Sequence, residues 1–217
     1  MFTWISRTGA LLFATLPLTA CDETGGLPFA ADLGAIAERQ GRTRLANVGL
    51  AGGDIVLSAP DGYCIDRQTL RRLGPNGFAV IARCDTMGVP GGFGGFDLAI
   101  ITVTTARQQP GSSAPTPSDV ARSAGSAKVL DTRSRDGLAL VRFGTGGHAV
   151  EGVSDIHWRG AFALNGHLVG IGLYAPDGSD ALGSGGMSLL RDLARRTRDA
   201  SAAKSIATAT PATPPVE

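Results

Sequence analysis

The chain has 217 residues, with 20 basic and 19 acidic side chains and a formal net charge of +1. Hydrophobic residues make up 43% of it, so it is too apolar to be disordered throughout. It also lacks the basic excess that gives nucleic-acid binding its affinity. What remains is a globular protein with a hydrophobic core.

The first segment, 1–20, is predicted to be a signal peptide. Its one charged residue is Arg7, and an apolar run follows at 10–18. That run is shorter than the roughly 20 residues that a helix needs to span a bilayer, but it has the length of a signal-peptide core.

The signal ends in Leu18-Thr19-Ala20-Cys21, which resembles the lipobox of bacterial lipoproteins. The resemblance implies cleavage before Cys21, a thioether-linked lipid on its sulfur and acylation (for instance by palmitate) of its new amino group. The alternative is an ordinary secretory signal followed by a chance cysteine. By resemblance to enterobacterial sorting, Asp22 favours the inner membrane over the outer membrane, with the domain facing the periplasm.

The rest of the chain divides by composition. Residues 21–28 form a short tether to the lipid, and 29–200 are predicted to form a single α+β domain. The tail, 201–217, is rich in Ala, Thr and Pro and is predicted to be disordered.

Hydrophobic patterning predicts the elements of the domain in chain order. Strands are expected at 55–57, 63–65, 78–82, 98–105, 129–135, 138–144, 155–164 and 167–175. Helices are expected at 30–40, from Thr116-Pro117 to about residue 127 and from about 186 to 200, with a helical turn within 67–73. Turns are predicted at Asn76-Gly77, Asp136-Gly137 and Asn165-Gly166.

The last hairpin predicts two unlike sheet faces. If Asn165-Gly166 is a two-residue loop, Leu164 lies opposite His167, and each following pair is determined. One face then carries large apolar residues, namely Trp158, Phe162, Val169, Ile171 and Leu173. The other carries small residues and ends in His157, Arg159 and Tyr174, where a ligand groove is predicted. Both faces are expected to be covered, which gives an antiparallel sheet with helices on both sides.

Cys64 and Cys84 are predicted to form a structural disulfide, since an exported domain meets an oxidising compartment. The alternative is a reactive or metal-binding thiol pair, but the chain has no C-x-x-C motif.

No metal or cofactor is predicted. Alternation along the strand keeps Ser154 off the side that carries Asp155 and His157, which argues against a triad. The glycine-rich run at 91–95 lacks the Lys-Ser/Thr continuation of a phosphate-binding loop.

Pro60-Asp61-Gly62-Tyr63 follows the first strand, and Trp158 lies on a strand before Phe162-Ala163-Leu164-Asn165-Gly166-His167-Leu168-Val169. With the order of the elements, these positions resemble the PsbP-like α/β/α sandwich over about residues 50–200. The chain is also similar to small alphaproteobacterial lipoproteins. These resemblances imply a cell-envelope lipoprotein with a non-enzymatic binding or accessory domain, attached to the membrane through Cys21 and partnered by an envelope protein, not nucleic acid. The alternative is a periplasmic hydrolase or small-ligand-binding protein that uses the groove near His157.

Overall fold

The computed structural model describes residues 44–87, 98–147 and 152–209. The predicted signal peptide, the tether, the helix at 30–40 and the glycine-rich run at 91–95 lie outside these ranges, as do Cys21 and Asp22. The fold is mixed α+β, as expected, and the described residues form a mostly antiparallel sheet and two α-helices.

Eleven strands are present within the described ranges. They are β1 (Arg44–Leu45), β2 (Asn47–Leu50), β3 (Ile55–Ser58), β4 (Tyr63–Asp66), β5 (Arg71–Leu73), β6 (Asn76–Arg83), β7 (Ile100–Arg107), β8 (Val129–Arg135), β9 (Leu138–Phe143), β10 (His157–Leu164) and β11 (His167–Tyr174). The α-helices are α1 (Pro117–Ser123) and α2 (Ser184–Ala209), and short 3-10 helices span Ala51–Gly53 and Asp180–Leu182.

Nine of the strands form one sheet in the order β1-β4-β6-β7-β11-β10-β9-β8, with β5 paired to β6. Strands β2 and β3 form a separate ribbon. Strand β7, which precedes β8 in the chain, therefore lies between β6 and β11 in the sheet.

The register of the last hairpin is confirmed. Leu164 pairs with His167, and the pairing continues residue by residue to Trp158 opposite Leu173. Asn165 and Gly166 have φ values of 48° and 74°, the left-handed conformation that a two-residue type I′ turn requires. The Asp136-Gly137 turn is confirmed in the same way, with φ values of 51° and 69°.

Two hydrophobic clusters use alternate residues of β9. Leu138 and Leu140 belong to the larger cluster, to which α2 contributes Leu190, Leu193 and Ala194. The second cluster contains Ala139, Val141, Phe143 and Ala161 together with Val120 of α1. Because successive strand residues point to opposite faces, the two clusters lie on opposite sides of β9.

The N-terminus of α1 forms as its sequence indicates. The Thr116 hydroxyl accepts from the Asp119 backbone N–H, and the Asp119 carboxylate accepts from the Thr116 N–H, which completes a capping box ahead of Pro117. The helix ends at Ser123, four residues earlier than expected, and Gly125 has a φ of 64°.

The turn predicted at Asn76-Gly77 is wrong. These residues begin β6, and the chain turns two residues earlier, at Gly74-Pro75, where Gly74 has a φ of 56°. Gly77 is instead needed for close packing, since a Cβ there would lie 2.8 Å from Thr105 Oγ1. The predicted helical turn at 67–73 is also wrong in its last part, where β5 pairs with β6.

The prediction of a disordered tail from residue 201 is wrong as far as Ala209, because α2 continues to that residue. Ser201 is 1% exposed, and its Oγ accepts from the Val56 N–H at 2.9 Å. Thr197 Oγ1 accepts from the Ser58 N–H at 3.3 Å. Two helix hydroxyls thus supply hydrogen-bond partners to backbone N–H groups of β3.

The disulfide between Cys64 and Cys84 is present, with Cα atoms 4.9 Å apart. Cys64 lies in β4, and Cys84 directly follows β6, which pairs with β4. The bridge therefore joins neighbouring chain segments.

Candidate functional site: a groove on the small-residue face

The sheet registers align the predicted small face across three strands. One row runs from Arg159 on β10 through Gly172 on β11 to Thr102 on β7. The next row runs from Ala161 through Gly170 to Thr104. We call the face that carries these two rows the small-residue face.

A groove of about 420 Å³ lies on the small-residue face. Strands β7, β10 and β11 form its floor, and α1 forms one wall. Its lining includes Thr102, Thr104, Asp119, Val120, Ser123, Arg159, Ala161, Leu168, Gly170, Gly172 and Tyr174. The groove includes two of the three residues at which a ligand groove is predicted, Arg159 and Tyr174, and α1 supplies a wall that the hairpin alone does not provide.

Two glycines leave the floor without side chains. A Cβ on Gly170 would lie 2.7 Å from Thr104 Oγ1, and one on Gly172 would lie 2.9 Å from Thr102 Oγ1. Tyr174 also leans over Gly172, with its hydroxyl 3.2 Å from the same Cβ position. The absence of a side chain at Gly172 therefore lets two hydroxyl groups approach one point.

Of the three residues predicted to form the groove, two line it and one does not. Arg159 and Tyr174 line it, whereas His157 is 1% exposed and lies behind Tyr174. The His157 ring stacks between Phe143 and Tyr174, with centroid separations of 5.3 and 5.4 Å. His157 therefore supports the aromatic end of the groove and does not line it.

His157 is held in its neutral form by its surroundings. Burial lowers its pKa below the ordinary value, and the positive charge of Arg159 lowers it further, although the Asp155 backbone carbonyl acts in the opposite direction. Nδ1 lies 3.0 Å from that carbonyl oxygen. A carbonyl can only accept, so Nδ1 carries the proton and Nε2 is left with a lone pair.

Ser154 and His157 do not form a nucleophile–base pair. Ser154 is 2% exposed, and its Oγ accepts from the Ile156 N–H at 3.2 Å. His157 contacts the backbone carbonyl of Asp155 through Nδ1. These hydrogen bonds define a local turn before β10, not the geometry of a catalytic triad.

The groove contains one cation without a carboxylate partner in the described ranges, Arg159. Its Nε is buried and has no hydrogen-bond partner among the described residues. The nearby carboxylate of Asp119 is engaged by Thr116 and by Arg122, 3.0 Å away. Hydrogen bonds from Thr116, reinforced by Arg122, lower the pKa of Asp119 below its usual range. The Asp119 carboxylate is therefore already engaged by Thr116 and Arg122.

The histidines on the last hairpin lie apart. His167 lies at the other end of the hairpin from His157 and pairs with Asp54, its Nε2 3.0 Å from Oδ2. Across residues 44–87, 98–147 and 152–209, no three His, Cys, Asp or Glu side chains are grouped as a metal site would require.

Thr102, Thr104 and the α1 wall were missed as groove residues by the sequence analysis. The run at 98–105 shows the alternation that places Thr102 and Thr104 on one face. However, it does not show which strand β7 pairs with. A contact with β11, more than 60 residues away in the chain, has no local signal.

Comparison with protein-family models, with curated proteins and with solved structures finds no match for this chain. No helix in the described part of the chain is both long enough and apolar enough to cross a membrane.

Proposed function

We propose that this protein is a lipid-anchored, non-enzymatic binding domain of the bacterial cell envelope, and that it binds a small ligand in the groove on the small-residue face. The observation that carries the proposal is the groove itself, a concavity of about 420 Å³ with a largely apolar lining and a few polar groups. This combination is typical of small-molecule sites.

Binding is favoured over hydrolysis by the chemistry of the lining. The groove-lining residues include neither histidine nor cysteine, and the hydroxyl of Ser123 donates to the Val120 carbonyl at 2.7 Å. His157, the base that a hydrolase would use, is stacked behind Tyr174. A hydrolase would need the Tyr174 ring to move before His157 reached a substrate.

The architecture proposed for the domain is the PsbP-like sandwich, with one helix on each face of the sheet. Support comes from the two clusters that use alternate residues of β9, one with α2 and the other with α1. In such a sandwich, α1 is too short to cover the whole small-residue face. The uncovered part is where the groove lies.

A substitution that fills the groove tests the binding proposal. Thr104 is exposed on the groove floor, and Thr132 is exposed on the edge strand β8. Thr104→Trp and Thr132→Trp are therefore matched changes, one inside the groove and one outside it. Water-soluble fragments that bind the full chain in ligand-observed NMR should lose binding in Thr104→Trp and keep it in Thr132→Trp. Equal behaviour of the two variants, or no binding fragment, would contradict the proposal.

The envelope location and the lipid anchor rest on Leu18-Thr19-Ala20-Cys21 and on the short apolar run before it. Two or more acyl chains anchor a protein stably, whereas one binds only marginally. Cys21→Ala should move the protein from the membrane fraction to the soluble fraction of a bacterial host. Unchanged membrane retention would reject the lipid anchor. A sorting role for Asp22 would be rejected with it, because that role depends on the anchor.

A further inference from the structure

The residues at the polar end of the groove favour a negatively charged ligand group. Arg159, Thr102 and Tyr174 line the part of the groove around Gly172. Thr102 Oγ1 and the Tyr174 hydroxyl lie 2.9 and 3.2 Å from the point where a Gly172 Cβ would stand. A guanidinium donates only, and both hydroxyls are able to donate, so the three groups together favour an acceptor.

None of the three groups has its hydrogen-bonding capacity met by the described protein. Neither the Thr102 hydroxyl nor the Tyr174 hydroxyl has a hydrogen-bond partner among the described residues. Arg159 lacks both an ion pair and a partner for its buried Nε in that part of the chain. All three side chains are partly exposed, so a ligand reaches them without rearrangement of the core.

The remainder of the groove combines apolar residues with the polar side chains of Thr104, Asp119 and Ser123, and the Asp119 carboxylate is already hydrogen-bonded to Thr116 and Arg122. The apolar part is formed by Val120 on the α1 wall and by Ala161 and Leu168 on the floor. A ligand that occupies the groove along its length thus meets donors at one end and hydrocarbon at the other.

From this arrangement we infer that the groove binds a small amphipathic carboxylate, with its carboxylate over Gly172 and its apolar body against Val120, Ala161 and Leu168. This inference rests on the proposed binding function and names the ligand class. The carboxylate oxygens accept hydrogen bonds from Arg159, Thr102 and Tyr174. Charge-assisted hydrogen bonds of this kind are roughly twice as strong as neutral ones.

Gly172 is required by this geometry, because any side chain there occupies the position of the carboxylate. A Cβ would already stand within 3.2 Å of both hydroxyls. Gly170, one row along, has a different neighbour, since Thr104 Oγ1 is turned towards its carbonyl at 3.4 Å.

The test uses two probes of the same size, 4-phenylbutyrate and its amide, titrated into the full chain with its disulfide intact. Backbone amide shifts of Gly170 and Gly172 report binding in the groove. The acid should bind about tenfold or more tightly than the amide, since only the acid carries a negative charge that forms an ion pair with Arg159 and accepts from both hydroxyls.

Arg159→Gln should reduce the affinity for the acid much more than the affinity for the amide, so that the preference for the acid is lost. The matched control is Arg107→Gln, an exposed arginine of β7 that does not line the groove, and it should retain the preference for the acid. Tyr174→Phe removes one donor without changing the ring, and should weaken the acid more than the amide, because a hydrogen bond to a charged acceptor is stronger than one to a neutral carbonyl.

The possible results distinguish failure of the carboxylate assignment from failure of the proposed binding function. Equal affinity of the unaltered chain for acid and amide overturns the carboxylate assignment and leaves groove binding standing. An equal loss in Arg107→Gln and Arg159→Gln overturns it as well, because the attraction is then one of general charge. If neither probe shifts the Gly170 and Gly172 amides, both the ligand class and the groove as binding site are rejected.

Discussion

The hydroxyl of Ser201 lies in a segment that composition alone predicts to be disordered, and Ser201→Ala measures what it contributes. In the structure, Ser201 Oγ accepts from the Val56 N–H at 2.9 Å and donates to the Thr197 carbonyl at 2.7 Å. The substitution removes both bonds and keeps the Cβ. The Val56 N–H of β3 then loses its acceptor.

The expected cost follows from the burial of the site. Leaving a buried donor without a partner costs about 1–3 kcal/mol. The higher helix propensity of alanine returns at most about 0.5 kcal/mol. Ser201→Ala should therefore lower the free energy of unfolding by about 0.5–2.5 kcal/mol, the difference of these two effects.

Urea denaturation of the full chain measures this cost, with Ser188→Ala as the control. Ser188 lies in the same helix but is exposed, so the same substitution there should change the free energy of unfolding by less than about 0.5 kcal/mol. If the two variants have the same urea midpoint, α2 does not pack on β3 beyond residue 200. The reasoning from the hydroxyl contacts would then be refuted.

Two further predictions concern β10. Because burial lowers the pKa of His157, the unfolded chain binds a proton at a higher pH than the folded chain does. Stability should therefore fall as pH drops below about 6.5, with up to about 1.4 kcal/mol per pH unit from this group. His157→Phe keeps a stacking ring and should remove that part of the slope in urea unfolding between pH 7.5 and 5, whereas an unchanged slope would show that His157 protonates freely. Gly160→Ala should cost about 1–3 kcal/mol, because its Cβ would lie 2.8 Å from the backbone oxygen of Ala139 and β9 must shift. A urea midpoint like that of the unaltered chain would contradict the register of β10 against β9.

Local chemistry made several elements predictable. Asp136-Gly137 and Asn165-Gly166 adopt positive φ at both positions, and few other dipeptides do so without strain. Once the second turn is known, period-2 alternation determines the whole β10–β11 register. The capping box at Thr116 and Asp119 is equally local, since its partners are three residues apart.

The same local reasoning failed where a distant segment determined the outcome. Asn76-Gly77 has the composition of a turn, but Gly77 is needed because Thr105 and Leu50 pack against it. The Ala-rich sequence after residue 200 continues the helix, where the Ser201 hydroxyl accepts a hydrogen bond from Val56 of β3, 145 residues away.

Composition and turn chemistry by themselves determined the two hairpins, the two unlike sheet faces and the presence of Arg159 and Tyr174 on the smaller one. Only the tertiary structure decided that this face holds a groove. Its floor needs Thr102 and Thr104 from β7, and its wall needs Val120 from α1. Tertiary packing also placed His157 behind Tyr174. The physical reason is that turns and alternation depend on neighbours in the chain, whereas a concavity depends on which distant strands and helices pack together.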